Sequence, residues 1–388
     1  MENSIKDFKG LFGEEEVNFK MAVDRSEFES VVVDPSSVNK NLKDFGKDRI
    51  SFGINFLDEC FGGINKNDFC IVSAGSGLGK TQIALSIAMQ AALDGKKVYF
   101  FALEAAKNEI QYRMIYKEFY QIYFRKSESG QIPKSNISLT DFWNGVLSEK
   151  YPDLIEEAAA NLSKYENVFL HYRDEPLDIE GFNKLFLNIK NDADLIVVDH
   201  LHYFNLDSDK EAFAIKEICQ KMKNLSGMHN KPIILVSHIR KMDKSPNKPD
   251  VPTLDDLHGS SEIAKTATKV ITFARHKIDE QNVTLVAAMK NRIDGARYSW
   301  AGVLDYDDEA QGYKDLYLLG EVDFGKFSLW DKNSKRPFPY WAKGAINDDK
   351  PNWVNTNGLV DSIPTKKMDE KPKATGSKRY LVNNHVRS

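Results

Sequence analysis

The sequence predicts an α/β fold in which a mainly parallel sheet is flanked by helices, and three observations lead there. Apolar runs of β type alternate with amphipathic helical segments from about Ile50 to Tyr306. A glycine-rich turn, Ser73–Thr81 (SAGSGLGKT), joins the first main run to a helical stretch. The 388 residues, 41% of them hydrophobic, suffice for one large core with segments left over at each end.

From the N-terminus, Met1 to about Gly46 is rich in Asp, Glu, Ser and Asn with scattered Phe and Val. That composition predicts an arm that needs a partner surface to order itself, with some strand character at Glu27–Val33. The strands expected next are Phe69–Ser73, Lys97–Ala102, Asn167–His171, Leu195–Asp199, Ile233–Ser237, Val270–Ala274 and Thr284–Met289, with a helix over Gln82–Ala92. After Asp307 the pattern changes to aromatics among Gly, Lys and Asp: Phe324, Phe327, Trp330, Phe338, Tyr340, Trp341 and Trp353. Completing the core is the expected role, with stacking on nucleic acid or docking a polymerase as alternatives. From Ile363 onward Lys, Pro and Ser dominate, and a disordered tail is expected. The division is thus an arm over 1–46, an α/β body over 47–310, an aromatic-rich extension over 311–360 and a basic tail over 361–388.

The net charge of −4 counts against coating nucleic acid with the whole surface, while leaving local basic loops open. Cys60, Cys70 and Cys219 show no metal spacing and suggest a reducing compartment. MENSIKDFKG lacks the apolar run of a signal peptide and no stretch is long enough to span a bilayer, so a soluble cytoplasmic protein is expected.

The chemistry starts at the glycine-rich turn. Gly75, Gly77 and Gly79 let backbone N–H groups close around phosphates, and the following helix adds the positive end of its dipole. Gly75, Ser76, Gly77, Leu78, Gly79, Lys80, Thr81 and Gln82 are therefore expected around a nucleoside triphosphate, with Lys80 on the β/γ-phosphates and the Thr81 hydroxyl on Mg²⁺. Ala74 stands where GxxxxGK[ST] begins with Gly, a strained fit. Glu104 follows a strand at the edge where open α/β sheets bind ligands, and a carboxylate there can polarise the attacking water. Asp199 ends a buried apolar strand and can orient Mg²⁺, usually through water. His200 and His202 lack the company of a metal site and read as loop or core histidines. Ser237 and His238 reach the same edge, where a polar side chain can hydrogen-bond a γ-phosphate and report its loss.

Ile50–Asp58 with Gly62 and Gly63, the phosphate loop, Leu103-Glu104 with Arg113-Met114, Asp199 and His238, in this order, resemble the RecA-like P-loop motor of DnaB-like, superfamily 4 replicative helicases. Within that family the chain resembles the helicase half of podovirus primase-helicases and the Twinkle proteins. Thr253–Arg275 is similar to that family's Asp-Leu-Arg-Gly-Ser-Gly segment, and Met289–Gly295 (MKNRIDG) to its Lys-x-Arg block.

The resemblance implies ATP or another NTP with Mg²⁺, Lys80 and Thr81 on phosphate and metal, Glu104 as catalytic carboxylate, Asp199 for the metal and His238 as γ-phosphate sensor. It makes Lys290 and Arg292 fingers supplied to a neighbour's nucleotide in a hexameric ring that moves 5′ to 3′ on single-stranded DNA. DNA would be held by Asn205–Glu211, by Ile239–Asp250 with Arg240, Lys241, Lys244 and Lys248, and by His258, Gly259, Ser260 and Ser261. His258 and Ser261 replace the family's Arg and second Gly, and a solvated charged loop is the other account of Arg240–Lys248. No zinc ribbon or primase-sized domain precedes the motor, so priming is expected from a separate primase, alongside a polymerase or single-strand-binding protein; the setting is a host cytoplasm if the gene is phage-borne. Two other classes stay open: a RadA- or RecA-like recombination ATPase, and a non-translocating regulatory ATPase. The second usually carries paired glutamates where Glu104 is followed by Ala105 and Ala106.

Overall fold

The computed structural model describes residues 48–342 except 76, 173, 174, 176, 205–210, 240–249, 258, 259, 279, 280, 294–298, 331–335 and 338, together with 35–38, 40 and 43. The chain divides into two units, Met1–Lys47 and Asp48–Ser388. In the first, the described residues are helical. The strand character expected at Glu27–Val33 and the basic tail both lie outside the described residues.

In the second unit, the described residues form one sheet of β1 (Phe69–Ala74), β2 (Val98–Ala102), β3 (Val168–Tyr172), β4 (Leu195–Asp199), β5 (Ile233–His238), β6 (Lys269–Ile278), β7 (Gln281–Asn291), β8 (Trp300–Asp307), β9 (Gly312–Asp323) and β10 (Lys326–Leu329). The spatial order is β10-β9-β8-β7-β6-β1-β5-β4-β2-β3. From β3 to β6 every pairing is parallel, and from β6 to β10 every pairing is antiparallel. All seven expected strands are present. The last two of them, however, pair antiparallel, because only two residues separate β6 from β7 and a parallel return needs a crossover of a dozen or more.

Helices cover both faces: α1 (Asn55–Phe61), α2 (Lys80–Leu93), α3 (Glu109–Glu128), α4 (Leu139–Trp143), α5 (Val146–Lys150), α6 (Pro152–Ala160), α7 (Ile179–Ile189), α8 (Glu211–His229) and α9 (Ser260–Thr266). Strand periodicity sorts the two cores. Along β1, Cys70, Val72 and Ala74 join the core under α1, α2, α3 and α6, whereas Phe69 and Ile71 join the core under α7, α8 and α9. A strand covered on both sides must be apolar throughout, and every residue of β1 and β4 is buried. Cys60, Cys70 and Cys219 are buried in these cores.

Beyond β7 the sheet continues without a break, so the boundary expected at 310/311 falls in the turn between β8 and β9. Trp300, Leu304, Tyr313 and Leu319 enter the first core, and Trp341 meets Phe56 and Trp300 edge-on at ring separations of 6.0 and 6.5 Å. Of the aromatics expected to complete the core, Phe327, Trp330 and Trp341 pack against it, whereas Phe324, in the turn between β9 and β10, is 95% exposed; Phe338 and Trp353 lie outside the described residues. The turn itself is docked on the helices. Asp307 Oδ1 accepts the N–H groups of Glu309 and Ala310, Tyr116 on α3 donates to the Glu309 carbonyl at 2.6 Å, and the Gln311 carbonyl accepts from Gln82 on α2 and Lys117 on α3.

Candidate active site

β1 runs straight into the phosphate loop. Ala74 is a buried strand residue in register with His238 and Phe273, with no left-handed backbone, so alanine sits there without the expected strain. Gly77 and Gly79 do need glycine, with φ of 73° and 72°, and a Cβ on Gly79 would lie 2.9 Å from the Tyr313 hydroxyl. Gly79 caps α2, whose first residue, Lys80, is buried and turns its Nζ back to the Gly75 carbonyl at 3.2 Å. Burial lowers the Lys80 pKa, opposed by the nearby Glu104 and Asp199 carboxylates.

The two acidic positions are tied together by backbone. The N–H groups of Leu103 and Glu104 both donate to the Asp199 carbonyl, at 2.7 and 3.2 Å, which fixes the end of β2 against the end of β4. Asp199 is 1% exposed, and both its carboxylate oxygens are buried without a hydrogen bond of good geometry. Burial pushes its pKa up to about 6, opposed by the Thr81 hydroxyl and the Lys80 ammonium and reinforced by Glu104. From β5, His238 arrives beside them, with its Nε2 3.1 Å from the Nε2 of His200.

These groups share a cleft of about 310 Å³ lined by Gly77, Leu78, Gly79, Lys80, Thr81 and Gln82, by Glu104 and His238, and by Arg113, Arg275, Thr284, Tyr306, Gln311 and Tyr313. Except for Ser76, which lies outside the described residues, the expected nucleotide-side residues are thus brought together at one sheet edge. Lys290 and Arg292 are not among them. β7 is antiparallel to β6, with Asn291 opposite Lys269, and Lys269 pairs with Cys70 at the start of β1. They therefore stand at the far end of the sheet from the loop. There Lys290 Nζ donates to the Ala264 and Lys265 carbonyls at the end of α9, and Arg292 is exposed.

A family model, the DnaB-like helicase C terminal domain, matches residues 50–299. The chain belongs to that family. The probable plasmid replicative DNA helicase of Chlamydia muridarum (strain MoPn / Nigg) is 28% identical over 262 residues, covering 64% of this chain and 51% of the relative. The replicative DNA helicase DnaB of Treponema pallidum (strain Nichols) is 24% identical over 251 residues, covering 62% and 51%. The chain thus spans about half the length of the curated relatives it matches. Among solved structures, an isolated ATPase domain superposes with a TM-score of 0.57 at 18% identity, covering 74% of this chain and 100% of that one. A DnaB-like replicative helicase, solved to show its interactions with primase, gives 0.55 at 17%, covering 74% and 67%. The fold is that of a RecA-like ATPase domain.

In this DnaB-like domain, several cleft residues were not expected from sequence. Arg275 Nη2 approaches the Gly77 carbonyl at 3.4 Å, Tyr313 donates to the Leu78 carbonyl at 2.9 Å, and Arg113 is oriented by Glu109 one helical turn away at 2.8 Å. The signal for Arg113 was its place after Leu103-Glu104. Tyr306 and Tyr313 offered none, because only the hairpin brings them to the loop. His200 is a buried histidine, as expected, yet it also touches Glu104 at 3.1 Å. Of the DNA-side residues, Arg240, Lys241, Lys244, Lys248, His258 and Gly259 lie outside the described residues, as do the side chains of Ser260 and Ser261, which open α9. A bridge between Ile239 and Leu257 joins the described residues flanking both segments. No helix among the described residues is long and apolar enough to cross a membrane.

Proposed function

We propose that the chain is the ATP-driven motor of a ring-forming replicative helicase that moves 5′ to 3′ along single-stranded DNA and separates duplex. The observation that carries this reading is the split of the chemistry between two ends of one sheet. Lys80, Thr81, Glu104, Asp199 and His238 gather at one end, while Lys290 and Arg292 stand at the other, beyond reach of their own subunit's cleft. Such a division suits hydrolysis completed by a neighbour, whose cation stabilises charge that develops in the transition state.

The residues present fit a magnesium nucleotide. Asp199 offers two buried carboxylate oxygens beside Thr81, neither with a well-formed hydrogen bond, and Gly77 and Gly79 leave the loop backbone open to phosphate. Thr81 and Asp199 would hold Mg²⁺, which when bound neutralises phosphate charge. Lys80 exchanges the Gly75 carbonyl for a phosphate oxygen. Glu104, with 43% of its side chain exposed, orients the attacking water and takes its proton, and His238 meets the γ-phosphate. DNA is assigned to the segments on either side of the Ile239–Leu257 bridge, whose lysines and arginine neutralise phosphates without reading sequence. A separate primase, a polymerase and a single-strand-binding protein are the proposed company, and the cytoplasm the proposed setting.

Unwinding of forked DNA bearing only a 5′ or only a 3′ tail, with the assembly sized in Mg²⁺-ATP, tests the reading. A ring that opens only the 5′-tailed substrate is expected. ATP turnover by a monomer indifferent to DNA would instead point to a regulatory ATPase.

A further inference from the structure

His200 directly follows Asp199, is 1% exposed, and has no part in the chemistry assigned above. Its Nδ1 accepts the backbone N–H of His202 at 3.3 Å. A neutral imidazole carries one proton, so with Nδ1 accepting, that proton is on Nε2. The Nε2–H faces two acceptors at once, Glu104 Oε2 at 3.1 Å and His238 Nε2 at 3.1 Å. One proton cannot serve both well.

We propose that His200 is a positioning residue that couples the γ-phosphate sensor His238 to the orientation of the catalytic carboxylate Glu104. With the phosphate absent, the His200 proton is divided between the two and Glu104 is held loosely. When His238 turns to a γ-phosphate, Glu104 becomes the sole acceptor of the Nε2–H, and its carboxylate is fixed in one direction for the water. The Asp199 carbonyl reinforces the link, since it already anchors the backbone N–H groups of Leu103 and Glu104 one residue before His200. No proton is transferred by His200 in this scheme; it donates one hydrogen bond whose partner depends on what His238 is doing. The inference rests on the roles proposed above for Glu104 and His238.

The test is ATP turnover on single-stranded DNA, with nucleotide affinity measured separately by a fluorescent ATP analogue. His200→Leu fills similar volume without a donor. It should bind nucleotide as before, with KM little changed and kcat down roughly 10- to 100-fold, the range for a hydrogen bond to a charged group. His200→Gln carries an N–H near the position of Nε2 and should recover most of that loss, which mere filling of space would not achieve. In a His238→Ala background Glu104 is already the sole acceptor of the His200 proton, so the further change His200→Leu should still cost roughly 10- to 100-fold in kcat. If His200→Leu loses nucleotide binding, His200→Asn, whose amide stops short of Glu104, replaces it with the same expected kcat loss. Wild-type-like kcat in the donor-less variants, no rescue by Gln, or a His200→Leu change without effect in the His238→Ala background would overturn the coupling while leaving the motor reading intact. Absence of ATP turnover in the unaltered protein would sink both.

Discussion

Glu104 and Asp199 occupy adjacent strand ends yet live in different surroundings. Glu104 is partly exposed and free to reach water, whereas Asp199 is sealed in and pushed up to about 6. Their substitutions should separate accordingly. Glu104→Gln keeps the shape and removes the charge that orients water, so nucleotide binding should persist while turnover falls by about two orders of magnitude. Lys80→Ala should lose binding and turnover together; normal hydrolysis by Glu104→Gln on single-stranded DNA would refute the assignment. At this scale the sequence was legible where a residue's place follows from the end of an apolar run or from the phosphate loop, as with Glu104, Asp199, His238 and Lys80 at the shared sheet edge. Arg275 and Tyr313 were not legible, because their approach to Gly77 and Leu78 depends on strand pairing far along the chain. His200 was half legible: its burial follows from the apolar run before it, but its distance to Glu104 does not.

The hairpin turn between β8 and β9 shows how an element carries the cleft wall. Lys117 on α3 is buried, and its ammonium donates to the Gln311 carbonyl at 2.5 Å. Burial lowers its pKa from 10.5 to about 7, so across that window the unfolded chain holds a proton that the folded chain has released. Stability contributed by this group therefore rises as pH rises from about 7 toward the ordinary lysine range. Denaturation midpoints at pH about 7 and about 9.5 should show that rise, and Lys117→Met should flatten it. Gln82 still donates to the same carbonyl in the variant, so the hairpin keeps one anchor. Gly302 on β8 tests the packing beneath. A Cβ there would lie 2.7 and 2.8 Å from Cγ and Cβ of Phe56, atoms near the backbone that cannot swing away. Gly302→Ala should cost about 1–3 kcal/mol in chemical denaturation. The seven expected strands were readable as apolar runs between turn signals. β8, β9 and β10 were not, since residues such as Asp305, Lys314, Asp315 and Glu321 interrupt their apolar pattern and antiparallel neighbours supply the order.

For the whole molecule, the role proposed for Lys290 and Arg292, far from their own cleft, would make assembly part of the chemistry. Arg292→Ala should leave nucleotide binding intact and lower turnover by about three orders of magnitude, the scale of an arginine finger. Arg292→Ala protomers keep Glu104, and Glu104→Gln protomers keep Arg292, so mixed rings of two inactive variants should regain ATPase where intact partners meet. No recovery despite proven co-assembly would place Arg292 in its own subunit's service. Single-stranded DNA affinity should fall with salt at a slope of about −0.7 per contacted phosphate, and charge reversal at Lys241 and Lys244 should lower it equally for all sequences. The hairpin sets a further limit at this scale. The segment shared with the family ends at 299, one residue before β8, yet Tyr306, Gln311 and Tyr313 line the cleft and Trp300 and Leu319 fill the core. The cleft and the core therefore reach beyond the segment that the family model matches. Chimeras that exchange only 50–299 with a relative would seat a foreign phosphate loop against this chain's own Tyr313, and should lose nucleotide affinity that returns when the exchange is carried on through β9.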